Sequence, residues 1–99
     1  MAQALSTLIA RAQRFPMEVP LHYRRSGMKH WLDGRTVNIS RTGVLFRADE
    51  AIPVSSILDV RVDLPKELKL SCQGPVVRAR QSAFAVKFQR CTLGRGRFW

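Results

Sequence analysis

Residues 57–64, Ile-Leu-Asp-Val-Arg-Val-Asp-Leu, alternate strictly, with Leu58, Val60, Val62 and Leu64 set against Asp59, Arg61 and Asp63. A period of two places the aliphatic set on one face of an extended strand and the charged set on the other. The same period returns in 82–89, where Phe84, Val86 and Phe88 alternate with Ala83, Ala85 and Lys87, and in 17–24, where Val19, Leu21 and Tyr23 share a face. Residues 68–80 read as a long strand interrupted near Gly74-Pro75 and continued by Val76-Val77. Turn signals stand between these runs: Ser26-Gly27, Pro65-Lys66-Glu67, and Asp33-Gly34, which is among the strongest short hairpin signals. Pro20 has no amide to give to a ladder, which implies an edge position or a local break. Met28 to Leu32 fits either a loop or a short strand carrying Trp31, and residues 48–56, broken by Pro53, read as a connection. Successive short strands separated by turns predict an all-β chain folded as a small antiparallel barrel or sandwich. As a barrel, it should hold Val37, Ile39, Val60, Val62, Val86 and Phe88 inside.

The ends read differently. In residues 3–12, Leu5, Leu8, Ile9 and Ala12 fall on one stripe of a short amphipathic helix. A helix this short is marginal alone, so it is expected to dock, on the barrel in preference to a partner. Pro16 stops it, and the residue before a proline is driven to extended geometry. Residues 14–89 then form the barrel. Residues 90–99 read as a basic tail whose end, Gly94-Arg95-Gly96-Arg97-Phe98-Trp99, is either a mobile basic-aromatic end or a strap that docks Trp99. The 99 residues are expected to form one domain.

Seventeen basic residues against seven acidic ones give a net charge of +10, a field that favours anionic partners without choosing among them. No apolar run approaches a membrane span, and the start of the chain offers no export signal, so a cytoplasmic setting is expected. Cys72 and Cys91 have neither metal-ligand spacing nor the density of a disulfide framework, and two free thiols are the expectation. With His22 and His30 the only histidines, no metal site is expected. No glycine-rich phosphate loop precedes a helix, and Asp49 and Glu50 are adjacent, on opposite faces if extended. No catalytic residues, and no enzyme, are expected.

One stretch carries more than a fold. In Gly34 to Phe46, Val37 and Ile39 alternate with Asn38 and Ser40; Arg41-Thr42 leaves the alternation, and Val44-Leu45-Phe46 restarts an apolar run suited to a strand buried on both faces. Gly43 supplies either a backbone conformation or a close approach that a side chain would block. The result is a turn between strands that exposes an amide, a hydroxyl and bare backbone. On its own this is also the composition of an ordinary hairpin corner.

Asn38-x-Ser40-x-x-Gly43 followed by Val44-Leu45-Phe46 resembles the [Asp/Asn]-x-Ser-x-x-Gly signature of PilZ domains. Arg14-Phe15-Pro16 and the strand Val19 to Arg24 stand where those domains place the end of an arginine motif and a first strand. The resemblance, running from about Arg11 to Phe88, implies a small β-barrel and, as ligand, the bacterial second messenger cyclic di-GMP. It carries Arg14, Asn38, Ser40 and Gly43 over as binding residues. The arginine motif is Arg-x-x-x-Arg, and with Arg14 as its second member the first falls on Ala10. Arg11, one position late, is a substitute candidate. An arginine fork matches the O6/N7 edge of guanine and phosphate oxygens, while Asn38 Oδ1 and the Ser40 hydroxyl offer acceptors to the N1–H and N2–H₂ edge. Three readings follow: a module that binds cyclic di-GMP and relays it to a protein partner, a PilZ-fold adaptor working by protein contacts alone, and a barrel attracted to nucleic acid by charge. The last ranks lowest, because no aromatic stacking platform is evident.

Overall fold

The computed structural model describes residues 15–16 and 18–95. The expected helix over 3–12, Arg11, Arg14 and Trp99 lie outside the described residues. Eight strands follow one another: β1 (Phe15–Pro16), β2 (Pro20–Arg25), β3 (Leu32–Ile39), β4 (Gly43–Arg47), β5 (Ile57–Leu64), β6 (Leu68–Arg80), β7 (Ala83–Lys87) and β8 (Arg90–Arg95). All pairings are antiparallel, in the order β3-β2-β5-β6-β7-β4, and β4 returns to β3 to close a six-stranded barrel. β1 lies on β3 beside β2, and β8 lies on β6.

The alternating segments behave as their period requires. Leu58, Val60, Val62 and Leu64 point inward with Leu21, Tyr23, Leu70 and Val86. Phe46 sits at the centre, its ring centroid 5.2 Å from that of Tyr23 and 5.7 Å from that of Phe84, both tilted, as aromatic quadrupoles prefer. Ile52, in the connection after β4, also drops into this core. Burial raises the Tyr23 phenol to about 12, with Glu50 and Asp49 adding to the effect and Arg25 opposing it. A folded pKa above the unfolded value means that the stabilisation is fully present below about pH 10 and is lost as pH rises from about 10 to 12. Tyr23→Phe should therefore flatten the alkaline limb of a stability–pH curve, by on the order of 2 kcal/mol between those limits.

Several local expectations are corrected. Asp33-Gly34 is not a turn: the chain reverses at residues 26–31, and both residues lie within β3, opposite His22 and Leu21. There Gly34 permits a close approach, since a Cβ would lie 2.8 Å from the Arg47 carbonyl oxygen and 3.1 Å from the Phe46 ring. Val37 is only half-buried, because the β3–β4 register shifts between Thr36 and Asn38 and Val37 is the extra residue. The shift turns Thr36 inward instead, where its N–H and hydroxyl donate to the Val19 carbonyl and its oxygen accepts from the Val19 N–H. Leu45 is half-buried, so β4 has one covered face rather than two. Phe88 is partly buried against the core.

β6 is not interrupted at Pro75. The Val76 N–H donates to Ser56 on the β5 side, so Pro75 turns its nitrogen to the other edge. That edge is where β8 stops pairing at Gln73 and β7 begins at Val76, and no ladder bond is lost. β7 and β8 together thus run back along one long strand. The expected tail begins as the strand β8, whose register sets Cys91 directly opposite Cys72. The two cysteines are joined as a disulfide, which corrects the expectation of free thiols; the sequence separation of 19 hid a cross-strand neighbour.

Two hairpins use left-handed residues without glycine. Lys66 and Glu67 have φ of 63° and 61°, and Gln81 and Ser82 have 48° and 65°. Gln81-Ser82 fill a two-residue loop between the paired Arg80 and Ala83, and Lys66-Glu67 end the three-residue loop between the paired Leu64 and Leu68; at each position the left-handed backbone costs a side-chain clash. Changing Lys66-Glu67 to Asn-Gly should stabilise the domain by about 1–2 kcal/mol, read as a higher urea midpoint at unchanged slope.

Candidate functional site

The Asn38–Gly43 segment forms the hairpin between β3 and β4. Ile39 pairs with Val44, and the Ser40 N–H donates to the Gly43 carbonyl at 2.9 Å, leaving Arg41-Thr42 as the exposed tip. The buried Ser40 hydroxyl organises the tip: it accepts from the Thr42 N–H at 3.2 Å and lies 3.2 Å from the Thr42 hydroxyl. The Thr42 carbonyl in turn accepts from the Phe88 N–H at 2.8 Å, tying the tip to the end of β7.

Gly43 serves close approach. A Cβ there would overlap the carbonyl oxygen of Val86, because β4 and β7 come together at the seam where Gly43 pairs with Lys87. The glycine therefore belongs to barrel closure first. Asn38, half-buried beside the bulge, pairs with Leu45, which pairs with Ala85, which pairs with Arg78. This row crosses four strands on the outside of the barrel.

A concavity of 330 Å³ follows the row, lined by Asn38, Ser40, Leu45, Ala85, Arg78 and Lys87 among others. Its near side offers amide and hydroxyl groups, its floor is aliphatic and small, and its far side carries the exposed cations Arg78 and Lys87. A planar polar ring could lie on such a floor with acceptors at one edge, and an anionic group would be drawn to the far side. Of the residues singled out in the sequence, Asn38, Ser40 and Gly43 are brought together here. Arg11 and Arg14 lie outside the described residues, but Phe15 and Pro16 pair with Ile39 and Asn38, so the strand that follows Arg14 is laid along the motif.

Arg78, Lys87 and Thr42 were not singled out. Lys87 shows the outward phase of its strand, yet only the β4–β7 and β6–β7 registers reveal that it and Arg78 share a surface with Asn38. Among the described residues no group of three His, Cys, Asp or Glu could hold a metal ion, and no helix is long and apolar enough to cross a membrane.

Fold and rim together describe a small closed antiparallel barrel that presents a polar hairpin beside a cation-edged groove. The PilZ domain family model matches residues 9–95, and the chain belongs to the PilZ family. Its fold is similar to the crystal structure of the PilZ domain of CeSA from a cellulose-synthesising bacterium, with a TM-score of 0.66 at 16% identity over 80% of this chain and 82% of that one. No curated protein shows significant sequence similarity to the chain. PilZ domains are generally cyclic di-GMP-binding signalling modules rather than enzymes.

Proposed function

We propose that this chain is a PilZ receptor module that binds cyclic di-GMP over the β3–β4 hairpin and relays its occupancy to a protein partner. The observation that carries the reading is the shared surface of Asn38, the Ser40–Gly43 tip and the Arg78–Lys87 side, with β1 laid against the same strand. In this reading Asn38 accepts from a guanine edge, Ser40 and Gly43 hold the tip that the ligand rests on, and Arg14 supplies the fork to phosphate or to guanine O6/N7. Arg11 stands in for the arginine that Ala10 replaces, and Arg78 and Lys87 add charge from the barrel. A second-messenger nucleotide made inside the cell places the module in the cytoplasm, where the Cys72–Cys91 bond is open to reduction.

Calorimetric titration with cyclic di-GMP at low and at physiological salt tests this. Saturable binding that weakens with salt but persists supports a built site. Heat that vanishes at physiological salt marks only the general attraction of a +10 protein for a dianion.

The adaptor reading also has an observation in its favour. The Ser40 hydroxyl is already engaged by Thr42, and Ala10 leaves the arginine motif one member short. Nucleic acid ranks below both, with weak, salt-sensitive and sequence-independent binding expected of charge without base readout.

A further inference from the structure

We propose that the open edge of β8 and the basic groove beside it form the docking surface for an extended, acidic segment of a partner protein. The inference is independent of whether the hairpin site binds a nucleotide.

The first observation is an unpaired edge. Among the described residues β8 pairs with β6 alone. Cys72 and Cys91 have Cα atoms 4.1 Å apart, the short spacing of an antiparallel pair that does not exchange hydrogen bonds. The N–H and C=O of Cys91 therefore point away from β6, and by the period of two so do those of Leu93 and Arg95. Arg90, Thr92, Gly94 and Arg95 along this strand are exposed, and a Cβ added to Gly94 on its outer face would meet nothing within 4 Å. The six-residue ladder to β6 holds this strand in place before any partner arrives.

The second observation is what adjoins the edge. A concavity of 280 Å³ runs from Trp31 across the outer face of β5 and β6 to Arg90 and Thr92. Arg24 and Arg61 lie under Trp31, their guanidinium carbons 4.5 and 4.1 Å from the ring centroid. Asp59, the one acidic lining residue, is engaged by Arg24 at 3.0 Å and by the Gln73 amide at 2.9 Å. Aromatic and arginine side chains are the types that anchor protein interfaces.

An alternating row of outward donors and acceptors is matched by another peptide strand, and a nucleic acid backbone has no such row to offer. A second copy of this chain is disfavoured by charge, since it brings a further net +10 to an edge that already carries Arg90 and Arg95. Acidic side chains on the outward face of the incoming strand meet Arg90 and the groove instead, with the apolar ones on the opposite face beside Cys91 and Leu93.

The test is fluorescence anisotropy of the full chain with a labelled, end-capped peptide of alternating Glu and Val, six residues long to match β8. Saturable binding is expected. Methylating the amide nitrogens along one edge of the peptide should weaken it about tenfold or more, as the loss of one or two good hydrogen bonds implies. Exchanging Glu for Lys should abolish it, and Arg90→Glu and Arg95→Pro should each weaken it. If a variant fails to fold, the comparison of parent and N-methylated peptides on the unaltered chain still decides. Equal binding of the two peptides, equally effective competition by oligothymidylate, a self-association that excludes the peptide, or no binding because the chain's own ends cover β8 would each overturn the proposal.

Discussion

Gly74→Ala is expected to leave the chain unfolded, or to destabilise it by about 3 kcal/mol or more, although it adds one methyl group. Gly74 lies where the return strand breaks between β7 and β8. A Cβ there would overlap the Lys87 carbonyl oxygen, and it would stand 2.8 Å from the carbonyl carbon and 3.2 Å from the Phe88 Cα. All three atoms are backbone. They are also fixed from both sides: Phe88 donates to Thr42 of the hairpin tip and Gln89 donates to Gln73, each at 2.8 Å. Relief would therefore have to open either the β4–β7 seam or the start of β8. Gly94→Ala is the control, because its Cβ would meet open space and the backbone is not left-handed; it should be neutral or stabilising by about 0.4–1 kcal/mol. Thermal and urea unfolding of the two variants would give opposite signs. Gly43→Ala should resemble Gly74→Ala, since its Cβ would overlap Val86 O. A loss of ligand binding in that variant would report on the barrel and not on a contact.

How far the sequence led depended on the range of the interaction concerned. Period-two segments such as 57–64 declared both their strand and their buried face, because side-chain alternation is a local property. Several such segments left a barrel or a sandwich, and the resemblance to PilZ domains pointed to the barrel. Val37 escaped because a bulge is decided by two strands together, and nothing in Thr36-Val37-Asn38 shows which residue will be the extra one. Asp33-Gly34 misled because turn chemistry also suits a crowded strand, where Gly34 makes room for Arg47 and Phe46. The cysteine pair and the Arg78–Lys87 side of the groove depend on cross-strand register over long separations, which no local pattern encodes. The motif itself was legible, since Asn38, Ser40 and Gly43 sit within six residues of one hairpin.

Removing the acceptor or the fork from the hairpin site is expected to weaken cyclic di-GMP binding about ten- to a hundredfold, with little change in stability. Arg14→Ala and Asn38→Ala are the informative pair: one removes the proposed fork and the other the proposed acceptor, whose side chain is only half-buried. Ser40→Ala should weaken binding as well, but by a different route: it frees Thr42 and loosens the tip. Ala10→Arg restores the spacing of the arginine motif and should strengthen binding by a comparable factor. Arg11→Ala separates two cases. A large loss means that the neighbouring arginine already fills the gap, and no change means that Arg78 and Lys87 carry the phosphate charge. All of these belong at one fixed salt concentration, because charge alone attracts the ligand to this protein.

The most direct test of the hairpin site is a residue-resolved one: two-dimensional amide NMR of the isotopically labelled chain, titrated with cyclic di-GMP at physiological salt. The amides of Asn38, Ser40, Thr42 and Gly43, with those of Ala85 and Lys87 across the groove, should shift together along one saturable curve, while those of Arg90 to Arg95 stay in place. Shifts that never saturate and follow the basic residues around the whole barrel, or a spectrum unchanged at high micromolar ligand, would contradict the account and leave the barrel an adaptor without a nucleotide.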